Sequence, residues 1–280
     1  MQDTTAKFDQ GVHTATAAEM TLFRQVRAAE CARNFYNSAF TFATASPDRK
    51  GAYPADQSDL DLSAGQCVPQ ELTDDELAIR QKLMDTITLY ADSIQALTNG
   101  TSDSALSKES QTLAENIKAF GAQQKFSPRG TQSAAALNAA VVTLTTLIVD
   151  HSSYKHVKDA ARAAQDHLAI VVDELKAENA ADAKGLASKA DGLTNQMRAA
   201  VSAARDRYGP ASFLNIVDAR VTLRALVVTP PDVAQLNSTL DAIVKANAAL
   251  ARSPNGGAMP EITDLIARGQ QASALFNTAK

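Results

Sequence analysis

Tryptophan is absent from this chain, and aromatic residues make up only 5% of it. That excludes a core built from large aromatic slabs and leaves the packing to Leu, Ile, Val and Ala. Cysteine occurs twice, too seldom for a disulfide framework or a multi-cysteine metal site. Charge of one sign never runs on for five or six residues. The 27 basic residues are interspersed with 31 acidic ones, for a formal net charge of −4. Nucleic acid binding needs a basic face to neutralise phosphates, and no such face is visible. Long hydrophobic runs are also missing. The most apolar stretch, Ala134 to Val149, is too short to span a bilayer and contains Asn138, Thr143, Thr145 and Thr146. It is expected to be a helix buried inside the protein.

Catalytic motifs are missing as well. The chain has no glycine-rich phosphate loop, no CxxC or CxxCH, no HExxH and no GxSxG. No catalytic, cofactor-binding or metal-ligating residue is assigned, and the chain is not expected to be an enzyme. An enzyme would need a polar constellation drawn from distant helices, such as Asp92, His156 or His167.

What is present is alanine, at roughly a fifth of the residues, together with apolar spacing of helical period. Ile79, Leu83, Ile87, Tyr90, Ile94 and Leu97 follow steps of four, four, three, four and three, one stripe along one helix face. Comparable stripes recur along the chain. They predict an all-α fold with no β-sheet: an elongated, largely up-and-down bundle of about seven to nine helices.

The first helix is expected from about Thr14 to Thr44, with Leu22, Val26, Ala29, Ala32, Tyr36 and Phe40 on its stripe. A loop over 46–70 follows, marked by Pro47, Gly51, Pro54, Gly65 and Pro69. The second helix starts at a capping box of Thr73 and Glu76 and stops at Asn99-Gly100. A third helix carries Leu106, Leu113, Ile117 and Phe120, and a fourth runs through Val149. Val157, Ala161, Ala164, Leu168, Val171 and Leu175 form one stripe, and Leu186 to Tyr208 form another. Between them 177–190 reads either as continuous helix or as a bend. Phe213 to Val228 is a short apolar helix. Thr229-Pro230-Pro231-Asp232 starts the next, a turn covers Arg252 to Met259, and a last helix begins near Pro260.

Three segments follow from this pattern: a disordered polar tether at 1–12, a helical subdomain at 13–122 and a helical bundle at 123–280. The last two are alternatively one continuous domain. The tether resembles the segment that precedes the folded part of bacterial envelope lipoproteins. That resemblance implies membrane tethering through a removed N-terminal segment. Cys31, in the first helix, and Cys67, in the loop before the second, are paired here as a disulfide. Such a bridge would contribute on the order of 3–4 kcal/mol and suits an exported protein. The other reading is two unconnected buried thiols.

Two ligand patterns are weak. His151, His156 and His167 fall in one region, and His156 and Asp159 are three apart, but the histidines diverge around and along a helix. Asp59, Asp61 and Ser63 have the alternating spacing of a calcium loop resembling an EF-hand. Gly65 falls one place late, and Gln70 stands where a bidentate Glu is needed. The acidic Asp74, Asp75 and Glu76 are accounted for by the helix start.

The expected function is therefore a non-catalytic helical module of the bacterial cell envelope, periplasmic or lipoprotein-like, that binds protein partners and needs no cofactor. Alternatives are a carrier or sensor of a small apolar ligand, with Tyr36, Phe40 and Tyr90 lining its site, and a cytoplasmic helical adaptor.

Overall fold

The structure, a computed structural model, describes residues 1–44, 72–99, 134–149, 156–204 and 232–277. Among them stand six helices and no strand: α1 (Gln2–Thr44), α2 (Asp74–Asn99), α3 (Ala134–Val149), α4 (Val157–Ala204), α5 (Val233–Arg252) and α6 (Met259–Asn277). The all-α class is as the periodicity predicts. The expected helices at 106–120 and 213–228, the loop at 46–70 and the proposed subdomain boundary at 123–130 lie outside the described residues.

The apolar stripes are the core. Ile79, Leu83, Ile87, Tyr90 and Ile94 of α2 are buried, as are Val157, Ala161, Ala164, Leu168, Val171 and Leu175 of α4. One apolar cluster draws residues from all six helices. The apolar α3 buries only one face, through Leu137, Ala140, Val141 and Leu144, while Thr146 on its other side is exposed. Thr145 and Thr146 enter this helix by donating their hydroxyls to the carbonyls of Val141 and Val142, at 3.1 and 2.8 Å.

The 1–12 tether is overturned. Those residues form the first three turns of α1, with Thr4, Thr5, Phe8 and Val12 buried. Phe8, Val12, Ala15, Ala18 and Leu22 extend the stripe upstream at steps of four, three, three and four, and their burial against α2 and α6 outweighs the polar composition. Thr5 is accommodated because its hydroxyl donates to the Gln2 carbonyl at 3.1 Å and lies 2.8 Å from the Thr98 hydroxyl.

The backbone of α4 is continuous through 177–190, in a helix of 48 residues, about 72 Å long. At the start of α2 the capping box is formed. Thr73 N–H donates to Glu76 Oε2 at 3.0 Å, and Glu76 N–H donates to Thr73 Oγ1 at 3.3 Å. Within the expected start of α5, Asp232 is the cap, accepting the Gln235 N–H at 3.1 Å. A carboxylate directly before the first turn reaches one of the amides that the helix leaves unpaired. Within the turn before α6, Gly256 has φ +93°, a conformation glycine adopts without strain.

Pairwise contacts give the helix directions. Thr5–Thr98, His13–Asp92, Phe23–Arg80 and Arg27–Asp74 set α1 antiparallel to α2. Lys176–Asp241 and Gln165–Asn247 set α4 antiparallel to α5. Gln235–Gln271 and Arg252–Glu261 do the same for α5 and α6. Helices α1 and α6 run parallel and approach closely at Gly11 and Gly269. A Cβ on Gly11 would stand 2.9 Å from the Leu265 side chain.

Polar groups tie this core together. Tyr90 O–H donates to Asn247 Oδ1 at 2.5 Å, and Asn247 Nδ2 donates to the Ala161 carbonyl at 2.9 Å and to Gln165 Oε1 at 2.8 Å. This joins α2, α4 and α5 through one buried amide. Tyr90→Phe removes the donor and leaves Asn247 Oδ1 buried without it. The expected loss is about 1–3 kcal/mol of unfolding free energy, measured by urea denaturation.

Candidate functional site

The residues singled out in the sequence do not assemble into one site. His156 stands at the start of α4, its carbonyl accepting the Asp159 N–H at 3.0 Å, and the Asp159 carboxylate faces Arg162 at 3.5 Å. An open groove of about 620 Å³ lies there, lined by Met1, His156, Arg162, Arg252 and Asn255 among others. His167 lies three turns up α4, partly buried, with Nδ1 shielded and without a hydrogen-bond partner. His151 and the Asp59–Gln70 segment lie outside the described residues, as do Cys67 and the side chains of Cys31, Tyr36 and Phe40. Tyr90 is bonded into the core. The acidic start of α2 is a helix start: Glu76 completes the capping box, and Asp74 pairs with Arg27 of α1.

Two constellations appear that the linear sequence does not bring together. The first is buried where α1, α2, α4 and α5 meet. Arg80 of α2 is 1% exposed. Its Nη2 donates to Glu178 Oε2 of α4, its Nη1 donates to the Glu76 carbonyl at 3.1 Å, and the guanidinium carbon sits 5.3 Å from the Phe23 ring centroid. Glu174 and Glu178, one turn apart on α4, are both buried. One residue further on, Asn179 Nδ2 donates to Glu19 Oε1 at 3.1 Å and to Asn237 Oδ1 at 3.0 Å, joining α4 to α1 and α5. Glu19 is wholly buried, and its Oε2 has no hydrogen-bond partner. Burial pushes its carboxyl up to about 8, against a small opposing effect from Asn179. The neutral acid is thus the favoured form at neutral pH.

The second constellation is at the surface between α1 and α2. Asp9 and His13 are one turn apart on α1, and Asp92 faces them from α2. His13 Nε2 lies 2.8 Å from Asp92 Oδ1 and 3.5 Å from Asp9 Oδ1. One ligand atom from each of the three side chains falls within 4.8 Å of the others. Burial first, and then the facing Asp92 carboxylate, pushes Asp9 up to about 7, while His13 pulls it down. The register that creates the trio is set by the Thr5–Thr98 contact on one side and Phe23–Arg80 on the other.

His13 is the one histidine that the sequence reading leaves out, because a disordered 1–12 removes Asp9 from consideration. The signal available was the Asp9–His13 spacing of four on a helix. Asp92, 79 residues beyond His13, carries none. No protein-family model, curated protein or solved structure matches this chain. Among the described residues no helix is long and apolar enough to cross a membrane.

Proposed function

We propose that this protein is a non-catalytic helical scaffold of the bacterial cell envelope that presents a polar surface to protein partners. In this reading the whole chain is an elongated, largely up-and-down bundle of seven to nine helices, and Cys31 and Cys67 are bridged. The observation that carries it is the combination of a core shared by six helices with buried polar ties between four of them. Apolar packing alone tolerates sliding between alanine-rich helices. Amides and ions that must find specific partners do not, so such ties fix one register and one shape. A body of fixed shape suits presentation of a surface more than opening around an apolar ligand.

The surface itself favours polar recognition. Among the described residues the one exposed large apolar side chain is Met1, at 52%. Partners would therefore meet charged and amide groups, and association should weaken with salt.

Photo-crosslinkers placed at the exposed Arg162 and Asp166 of α4, in protein expressed in its own host, test this reading. Discrete adducts to the same extracytoplasmic protein from both positions are the expected result. Cytosolic recovery with no adduct from either position would overturn it.

A further inference from the structure

We infer that Asp9, His13 and Asp92 form a binding site for one divalent transition-metal ion, with zinc the ion that fits the donor set. This goes beyond the scaffold reading and stands independently of it. One imidazole nitrogen and two carboxylate oxygens are all zinc donors. Zinc holds such atoms at about 2.0–2.2 Å, so tetrahedral ligands stand about 3.4 Å from one another. The separations of 2.8 and 3.5 Å from His13 Nε2 to the two carboxylates bracket that value. All three donors already lie within 4.8 Å of each other, so only small side-chain rotations close them on an ion.

Three further features separate this trio from an ordinary acidic surface. Asp9 Oδ1 is shielded from solvent yet has no hydrogen-bond partner, which leaves a lone pair beside His13 Nε2. Among the described residues neither Asp9 nor Asp92 forms an ion pair with any Lys or Arg, so two carboxylates face a single imidazole with no fixed cation between them. His13 is half exposed, which provides an entry path and leaves the fourth position to water. The acidic start of α2 fails the same comparison, because its groups are used by the cap and by Arg27.

Both helices that carry the donors are packed into the core beside them. Phe8 and Val12 of α1 and Tyr90 and Ile94 of α2 are buried beside the donors. A bound ion would clamp the first turns of α1 onto α2 and keep one position open to an exchangeable ligand.

The test is calorimetric titration of zinc chloride into the metal-free, tag-free full chain, with cobalt(II) absorption as a second readout of coordination. One zinc per chain is expected, with a rise in Tm and a cobalt ligand-field band. His13→Gln and Asp92→Asn should each weaken binding by at least about tenfold and abolish the band. Both side chains are partly exposed, so the metal-free variants should keep the wild-type circular dichroism, and Asp9→Asn provides a third check. His156→Gln should leave binding unchanged. No saturable zinc binding by the wild type, or binding that survives both His13→Gln and Asp92→Asn, would overturn the assignment.

Discussion

Arg80→Ala is expected to lower the unfolding free energy by about 3–5 kcal/mol, read as a fall in the urea midpoint at constant m. The substitution removes one partner of an ion pair in which both side chains are 1% exposed, so the buried Glu178 carboxylate loses the guanidinium that faces it. It also removes the donor to the Glu76 carbonyl and the cation above Phe23. Most of the loss comes from keeping a carboxylate buried after its guanidinium is gone rather than from the attraction itself, because desolvating two ions offsets much of their mutual Coulomb energy. It follows that Arg80→Met combined with Glu178→Met should recover most of the stability that either change alone forfeits. Arg80→Lys should not behave as a conservative change, because an ammonium can neither stack on Phe23 nor keep the planar donor fork. The surface pair Arg268–Asp264, with its side chains 36% and 46% exposed, is the control. Breaking it should cost less than about 1 kcal/mol.

Glu19→Gln is expected to flatten the pH dependence of stability by a few kcal/mol between about pH 4.5 and 8. In the folded chain burial holds the Glu19 carboxyl up to about 8, against an ordinary value of 4.5. The folded state therefore keeps a proton that the unfolded chain releases above about pH 4.5. Stability contributed by this group is fully present below that pH, declines as pH rises through the window, and levels off above about 8. The loss across the window is on the order of a few kcal/mol. Glutamine keeps the shape and an oxygen for the Asn179 amide but does not ionise. The variant should thus show a flatter profile, match the wild type near pH 4.5 and exceed it at pH 8. Asp9 shifts in the same direction but is present in both proteins, so the difference between their urea midpoints isolates Glu19. Identical profiles would place the Glu19 charge in a solvated setting and contradict the buried network.

The helices were legible in the sequence wherever their partners were apolar stripes. Ile79 to Leu97 and Val157 to Leu175 repeat at helical spacing, and burial of that face is what the periodicity encodes. The first turns of α1 were not legible because their fate depends on tertiary partners. Thr5 looks like a loop residue until Thr98 and the local carbonyls meet its hydroxyl, and Gly11 looks like a breaker until Leu265 occupies the space beside it. The start of α5 was legible as a Thr-Pro-Pro-Asp signal, in which backbone geometry makes Asp232 the cap.

The polar core was hidden for a different reason. Arg80, Glu178, Glu19 and Asn247 each occupy positions that a sequence reading assigns to solvent, since charged and amide groups are buried only when a partner meets them. Their partners lie 98, 160 and 157 residues away, for Arg80–Glu178, Glu19–Asn179 and Tyr90–Asn247 respectively. No local pattern carries such a pairing. The Asp9–His13–Asp92 trio combines both difficulties: a misread N-terminus on one side and a distant aspartate on the other.

Native mass spectrometry of the protein recovered from its own host, with and without reductant, tests the central claim most directly. The scaffold reading predicts a chain lighter by two hydrogen atoms until reduced, the mark of a Cys31–Cys67 bridge, held in complex with a protein partner that dissociates as salt is raised. Free thiols on a chain carrying a small apolar molecule and no protein partner would contradict it.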